Sequence, residues 1–192
     1  TVETFANKED WDIESDVIKA HQKSSLGNDN VIKYIEQYYS KPKDFESLIP
    51  LSQIMQADAI RAAVEAHRRS MPFCMGTLYW QLNDCWPGVS WSSIDYNGNW
   101  KALHYAARIF FNPVLLSIVQ KDNLINIYII NDQDHFFNAE LSVVLYSFNG
   151  SVLVEETKTV EVPSTCSTIA LKLSSDKLIG NHDQTEIMLC CE

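Results

Sequence analysis

The pattern of hydrophobic and polar positions changes near residues 112–113 of the 192-residue chain. Before this point, apolar residues recur at spacings of three and four, which is typical of amphipathic helices. After it, apolar and polar residues alternate, as they do in β-strands with one buried face. We therefore predict two domains, residues 1–112 and residues 113–192.

The first region contains four predicted helices, over residues 16–23, 30–39, 51–69 and 101–111. The third is the clearest, because Pro50 suits a helix start and an apolar stripe follows it. The residues assigned to that stripe are Leu51, Ile54, Met55, Ala59, Ala62, Ala63 and Ala66. For the last helix the predicted apolar side consists of Ala102, Tyr105, Ala106 and Ile109.

A short apolar run over residues 73–82 precedes a long polar and aromatic loop over residues 83–100. Both faces of the run are largely nonpolar, which predicts a strand buried within a parallel sheet. The order of helix, buried strand, long loop and helix is that of a (β/α)₈ barrel, in which functional groups lie after the strands. The first region is therefore predicted to be an incomplete TIM barrel of the α/β class.

The second region is predicted to be all-β. Six strands are expected, over residues 114–120, 124–130, 141–147, 152–162, 168–173 and 185–191. Asp122-Asn123 and Asn149-Gly150 provide turn signals between strands. Short strands at this spacing predict an immunoglobulin-like β-sandwich. Since the region ends in an apolar run, the sandwich is either truncated or has its last strand at an edge.

Charge excludes some classes of partner. The chain carries 25 acidic and 15 basic residues, a net charge of −10, whereas a nucleic-acid surface needs clustered Lys and Arg. The doublet Arg68-Arg69 is interpreted as a solvated helix end. No run of 18 apolar residues is present, so no membrane span is predicted.

The pattern of cysteines and histidines predicts neither a metal site nor a cofactor. The five cysteines show no C-x-x-C pair, and their odd number prevents complete pairing within one chain. Buried free thiols are the preferred interpretation. His21, His135 and His182 stand alone, without ligand spacing.

Tryptophans concentrate in and beside the long loop. Residues 76–95 hold three of the five tryptophans, and Trp100 follows closely. Indole rings stack on the C–H faces of a pyranose, while Asn83 and Asp84 can hydrogen-bond sugar hydroxyls. An aromatic core around a buried strand is the competing interpretation of the same residues.

Residues 75–113 read MGTLYWQLNDCWPGVSWSSIDYNGNWKALHYAARIFFNP. This segment resembles the last strand, loop and helix of the catalytic barrel in β-mannosidases of glycoside hydrolase family 2. Family neighbours that act on galactosides or glucuronides lack the WQLNDCWP pattern at this place. The resemblance implies a retaining exo-enzyme that releases terminal β-linked mannose from oligosaccharides or glycans. It also implies that the complete protein is periplasmic, secreted or lysosomal.

The resemblance places both catalytic glutamates outside this chain. In the family one follows an Asn-Glu pair and the other lies in a Ser-Glu-Phe-Gly type segment, and neither segment occurs here. We expect both upstream of Thr1, so no catalytic residue is assigned and the chain alone is predicted to be inactive. A partial barrel exposes the apolar faces of its strands, so self-association through those faces is also expected.

Five residues are predicted to bind substrate: Trp80, Asn83, Asp84, Trp86 and Trp91. Trp80 resembles the tryptophan at the floor of the family's sugar subsite, or else packs within the barrel. Asp84 either binds a hydroxyl, directly or through a neighbour, or caps the loop that follows it. Trp86 and Trp91 either wall the site or anchor the loop.

Two other functions remain open on the sequence. A non-catalytic carbohydrate-binding module fits a β-sandwich with tryptophans, but residues 113–192 contain no tryptophan. An interaction domain that assembles through its edge strands is the other possibility.

Overall fold

A computed structural model describes all 192 residues, and it consists of two compact units. The first unit comprises Thr1–Val64 and Thr77–Phe110. The second comprises Glu65–Gly76 and Phe111–Glu192. No helix in the structure combines the length and the apolar character that crossing a bilayer requires.

The helices of the first unit lie close to the four predicted ones. They are α1 (Asp16–Ala20), α2 (Gly27–Tyr38), α3 (Phe45–Arg69) and α4 (Ala102–Phe110), and the last residues of α3 belong to the second unit. Two short 3₁₀ turns precede them, at Val2–Thr4 and Lys8–Asp10. The Ser15 hydroxyl accepts a hydrogen bond from the Ile18 amide at 3.2 Å, which fixes the start of α1.

Helix α3 begins earlier than the sequence predicts. The Asp44 carboxylate accepts a hydrogen bond from the Ser47 amide at 2.7 Å, and the Ser47 hydroxyl accepts one from the Asp44 amide at 3.1 Å. This reciprocal cap satisfies the free amides at the helix start. Pro50 therefore lies inside the helix, and its assignment to the first turn was wrong.

The buried faces of α3 and α4 agree only in part with the predicted stripes, since Ala102 and Ala106 of α4 pack against the buried cluster but most other predicted positions do not. Ala57 and Val64 of α3 pack in one cluster with Leu103, Ala107 and Phe110 of α4. The predicted residues Ile54, Tyr105 and Ile109 are instead 46%, 59% and 63% exposed, and Ala59, Ala62, Ala63 and Ala66 are also exposed. Alanines occur on several sides of α3, so more than one apolar stripe can be drawn from the sequence. The stripe that is buried against α4 is the one that contains Ala57 and Val64.

The predicted buried strand over residues 73–82 is not observed. The segment has no regular strand pairing, and Phe73, Leu78 and Trp80 are 97%, 98% and 72% exposed. The first unit holds only isolated β-bridges, Gln22–Val89, Asn83–Ile94 and Ile94–Trp100. A parallel strand needs neighbours for its backbone groups, and no parallel sheet is present in this chain.

The second unit contains six strands in two antiparallel sheets, which confirms the predicted strand number and the immunoglobulin-like sandwich. One sheet has the order β1-β2-β5 and the other β4-β3-β6. Their ranges are β1 (Val114–Lys121), β2 (Leu124–Asn131), β3 (Phe137–Ser147), β4 (Val152–Val162), β5 (Cys166–Ser174) and β6 (Ile187–Cys191).

Alternating residues of the strands form one core between the two sheets. Ile125, Ile127 and Ile129 of β2 are buried together with Leu141, Val143 and Leu145 of β3, Val160 and Val162 of β4, and Leu178. Leu178 lies on a short helix, α5 (Ser175–Ile179), that the sequence analysis did not predict. The hairpin turns were predicted, with Asp122 at φ 53° and Gly150 at φ 90°.

The interpretation of Arg68 and Arg69 as a solvated helix end was wrong. Arg68 is 8% exposed, and its Nη2 donates to the Asn112 carbonyl at 2.9 Å and to Asp132 Oδ2 at 2.8 Å. Arg69 Nη1 donates at 2.5 Å to the buried Ser117 hydroxyl, which in turn donates to a carboxylate oxygen of Glu65. Both arginines thus hold the end of α3 within the second unit.

All five cysteines are free thiols, but none is fully buried. Cys85 is exposed, and Cys74, Cys166, Cys190 and Cys191 are half-buried. Burial raises the pKa of the Cys191 thiol to about 11, with Cys190 contributing, which makes that thiol a poor nucleophile near neutral pH.

Candidate functional site

The tryptophan-rich loop after residue 82 is closed at its base by backbone hydrogen bonds. The Asp84 amide donates to the Ile94 carbonyl at 3.1 Å, and the Ile94 amide donates to the Leu82 carbonyl at 2.8 Å. The Ser93 amide also donates to the Gln81 carbonyl at 2.9 Å. Residues 93–94 at the return of the loop therefore lie beside residues 81–84 at its start.

Asp84 is the centre of a polar cluster inside this loop. Its side chain is 2% exposed, and it accepts hydrogen bonds from the hydroxyls of Ser90 and Ser92, each at 2.6 Å. The ammonium of Lys101 lies 3.5 Å from Asp84 Oδ2 and donates to the Ser92 hydroxyl at 2.7 Å. Both carboxylate oxygens are occupied, so this geometry favours the loop-capping interpretation of Asp84 over hydroxyl binding.

Lys101 is held in this cluster against an electrostatic cost. Burial lowers the pKa of Lys101 from its ordinary value of 10.5, and the nearby charge and hydrogen bond of Asp84 offset this only in part. A buried ammonium is tolerated when its protons are satisfied and an opposite charge lies near. Lys101 and Asp84 therefore depend on one another.

A second set of hydrogen bonds ties the loop to α4. The Ser93 hydroxyl donates to the Leu82 carbonyl at 2.9 Å and lies 2.9 Å from the Tyr79 hydroxyl and 3.1 Å from His104 Nδ1. Ser93 is completely buried. One buried hydroxyl, that of Ser93, thus connects the loop to residues 79–82 and to α4.

Asp95 stabilises the far end of the loop. Its carboxylate accepts hydrogen bonds from the Thr1 hydroxyl, from the Asn99 amide at 2.8 Å and from Asn99 Nδ2 at 3.1 Å. Burial alone would raise the pKa of Asp95, but these hydrogen bonds outweigh it and lower the pKa from 3.8. The carboxylate is therefore kept ionised.

Trp86 lies within a stack of rings. Its indole packs on His21 with centroids 4.7 Å apart and planes at 11°, and His21 stacks on Phe5 at 4.1 Å. The Lys23 ammonium lies 3.4 Å from the indole centroid. His21 Nδ1 also lies 2.7 Å from the Pro87 carbonyl oxygen. These contacts favour anchoring of the loop as the role of Trp86.

Trp80 and Asn83 are accessible. Trp80 is 72% exposed, and the peptide bond that follows it is cis. Asn83 is exposed, and its one side-chain hydrogen bond is a long contact of 3.4 Å to the Asp84 carbonyl. An open indole face and a free amide are both suited to a sugar ring.

Trp91 borders a cavity of about 730 Å³ within the first unit. Of the five predicted site residues, only Trp91 lines it, so the structure does not bring all five together. Trp11, Trp100 and Gln53 also line it, and these were not predicted. Trp100 belongs to the same tryptophan cluster in the sequence, whereas nothing in the sequence near Trp11 indicates this placement.

The arrangement supplies binding groups. The loop carboxylates of Asp84 and Asp95 are each satisfied by neighbouring donors. No three His, Cys, Asp or Glu side chains are grouped so as to hold a metal ion. Among the five predicted site residues, the accessible ones are thus Trp80, Asn83 and the 37% exposed Trp91.

Comparison with known proteins gives the family. Residues 123–192 match the mannosidase Ig/CBM-like domain. The β-mannosidase of Capra hircus is 34% identical over 167 residues, which cover 80% of this chain and 19% of that protein. β-Mannosidase A of Aspergillus clavatus is 37% identical over 106 residues, which cover 50% of this chain and 11% of that protein. The chain belongs to the β-mannosidases of glycoside hydrolase family 2.

Solved structures agree with this family. The β-D-mannosidase of Dictyoglomus thermophilum superposes with a TM-score of 0.88 at 25% identity, over 97% of this chain and 23% of that one. An exo-chitosanase of Amycolatopsis orientalis gives 0.74 at 16% identity, over 100% of this chain and 25% of that one, which indicates a common fold. The chain spans about a fifth of the length of the curated β-mannosidases it matches.

Proposed function

We propose that this chain is part of a retaining exo-β-mannosidase that releases terminal β-linked mannose. The likeness to the Capra hircus β-mannosidase extends over 80% of the chain, so it includes both the tryptophan-rich region and the sandwich. This breadth is the observation that carries the proposal. Because the chain is a small share of its relatives, the activity belongs to the longer protein.

We further propose that residues 1–112 are the end of a (β/α)₈ barrel and residues 113–192 the domain that follows. Leu78, Trp80 and Leu82 recur at every second position of a segment without regular secondary structure and are 98%, 72% and 55% exposed. Exposed apolar side chains at this spacing suit a segment that pairs with neighbours elsewhere in the longer protein. The superposition over 97% of the chain on a β-mannosidase supports the same assignment.

In this proposal Trp80 and Asn83 contact the mannose ring, and Trp91 borders the site. Asp84 and Trp86 hold the loop, because the carboxylate oxygens of Asp84 and the ring face of Trp86 are already engaged. A direct contact from Asp84 to a sugar hydroxyl would require one of its serine hydrogen bonds to break. The sandwich lacks tryptophan, so a stand-alone carbohydrate-binding module is the weaker alternative.

Catalysis requires two carboxylates about 5–5.5 Å apart in a retaining glycosidase. The loop carboxylates Asp84 and Asp95 instead serve neighbouring hydroxyl, amide and ammonium groups. We propose that both catalytic glutamates lie in a part of the protein upstream of Thr1, and that the 192-residue chain alone is inactive.

Hydrolysis of a chromogenic β-mannoside tests the proposal. The 192-residue chain is compared with one extended upstream through the rest of the barrel. Activity in the extended chain alone supports the proposal. Activity in the 192-residue chain contradicts the placement of the glutamates, and Asp84 and Asp95 then become the carboxylates to replace. Cleavage of β-galactosides but not β-mannosides by the extended chain would overturn the substrate assignment.

A further inference from the structure

The loop carries an ionic cluster that the proposed sugar chemistry does not use. Lys101 and Asp84 lie on either side of Ser92, and the side chains of the pair are only 13% and 2% exposed. Lys101 directly precedes α4, and Asp84 is the second residue of the loop. The cluster therefore connects the two ends of one long, irregular segment.

We propose that the Lys101–Asp84 pair, bridged by Ser92, is the positioning device of the tryptophan-rich loop. The pair fixes the path of residues 84–94, which carry Trp86 and Trp91. It touches no substrate and acts through the loop backbone. The proposal for the loop stands by itself, and only its effect on sugar binding rests on the proposed function.

Hydrogen-bond directions support this role. The Ser92 hydroxyl donates to Asp84 Oδ2 and accepts from Lys101 Nζ, so it is correctly oriented only when both partners are present. The Ser90 hydroxyl donates to the other oxygen, Asp84 Oδ1. Four side chains thus define the shape of a loop segment that has no regular secondary structure.

Burial explains why the cluster is more than a surface ion pair. Exposed pairs contribute little because water screens them, whereas removing one partner of a buried pair leaves an uncompensated charge. The Lys101 side chain is 13% exposed, so its ammonium is largely removed from water, and this burial lowers the pKa of Lys101. A substitution that removes either charge of the pair should therefore also disrupt the conformation of the loop.

Hydrogen exchange of the 192-residue chain tests the positioning role. Asp84→Asn replaces one of the two carboxylate oxygens by an amide group that donates hydrogen bonds. Lys101→Met removes the ammonium and keeps a side chain of similar length. In either variant we expect the amides of Asp84, Ser93 and Ile94 to exchange about 10-fold faster or more. The Tyr39 amide, which donates to the Ile35 carbonyl at 2.7 Å at the C-terminal end of α2, should exchange at an unchanged rate.

The controls separate positioning from general destabilisation. Lys33→Met, on the exposed side of α2, should leave every amide unchanged. In the double variant Asp84→Asn/Lys101→Met, the acceleration of amide exchange should be smaller than the sum of the two single accelerations in free-energy terms. The reason is that no buried charge is left without its partner. Additive effects, or equal acceleration of all amides, would overturn the proposal. If either single variant does not fold, Ser92→Ala provides the same comparison.

A second readout uses the extended chain that cleaves β-mannosides. A positioning role predicts that Lys101→Met raises KM several-fold and lowers kcat less, because Trp91 at the border of the proposed site is displaced while the glutamates stay in place. An unchanged KM together with slow exchange in the loop would contradict the proposal. Absence of activity in the parent extended chain would contradict only the proposed function, since the exchange experiment is independent of it.

Discussion

The two units of this chain use similar apolar residues in opposite ways. In the second unit Ile125, Ile127 and Ile129 alternate along β2 and are at most 5% exposed. In the first unit Leu78, Trp80 and Leu82 recur at every second position of a segment without regular secondary structure and are at least 55% exposed. The difference is the distance to a pairing partner. Antiparallel strands find theirs across a short turn, whereas in the barrel proposed above the partners of residues 78–82 would lie in the longer protein.

The largest expected effect tests the self-contained core of the sandwich. Ile127→Ala removes a completely buried side chain between β2 and β3 and should destabilise the second unit by about 2–5 kcal/mol. Chemical denaturation monitored by far-UV circular dichroism measures the loss. Ile169→Ala, at a position that is 39% exposed, should cost clearly less. Equal losses at both positions would contradict a core centred on β2.

The next effect concerns the ionic contacts at the end of α3. Arg68→Ala should cost about 1.5–3 kcal/mol, since it removes charged hydrogen bonds to Asp132 and to the Asn112 carbonyl. The exposed Arg108 provides the matched control, and Arg108→Ala should change the unfolding free energy by less than about 0.5 kcal/mol. A neutral Arg68→Ala would show that these contacts are replaced by water.

The exposed segment of the first unit should determine the association state. Leu78→Ser removes an apolar side chain that is 98% exposed, so it should weaken self-association with little change in stability. Sedimentation velocity over a range of protein concentrations measures this. Phe148→Ser, at a 69% exposed position of the sandwich, is the control and should leave association unchanged. A parent chain that sediments as a monomer throughout would contradict the expectation.

The smallest effect is a dependence of stability on alkaline pH. Burial lowers the pKa of Lys101, so the unfolded chain binds more protons than the folded one between that lowered pKa and 10.5. The stability contributed by this group therefore rises with pH across that window. The charges of Asp84 and Asp95 face this ammonium and raise its pKa, but the effect of burial is larger. The unfolding free energy of the parent relative to Lys101→Met should increase with alkaline pH, and a flat difference would contradict this.

Much of the fold was predictable from local patterns. The alternation in β2 and β5 predicted both strands, and Asn149-Gly150 predicted a turn in which Gly150 has φ 90°. Four helices were predicted near their observed positions because their apolar spacing is local. The short helix α5 was missed because five residues carry too little periodicity.

The candidate site was less predictable, because its geometry depends on contacts between distant segments. The density of tryptophans indicated the loop, but the stack of Trp86 on His21 joins residues 65 positions apart. Trp11 lines the same cavity as Trp91 without any sequence signal. The predicted sugar-binding roles of Trp80, Asn83 and Trp91 stay predictions that the hydrolysis experiment tests.

The sequence by itself indicated the family through the resemblance of residues 75–113, and it indicated the sandwich and the tryptophan-rich loop through composition and short-range spacing. Only the tertiary structure decided which face of α3 is buried, that Arg68 is an interior residue, and that Asp84 is surrounded by Ser90, Ser92 and Lys101. Burial and hydrogen-bond partners are properties of the folded chain, since desolvation assigns a cost to each polar group only after its neighbours are in place.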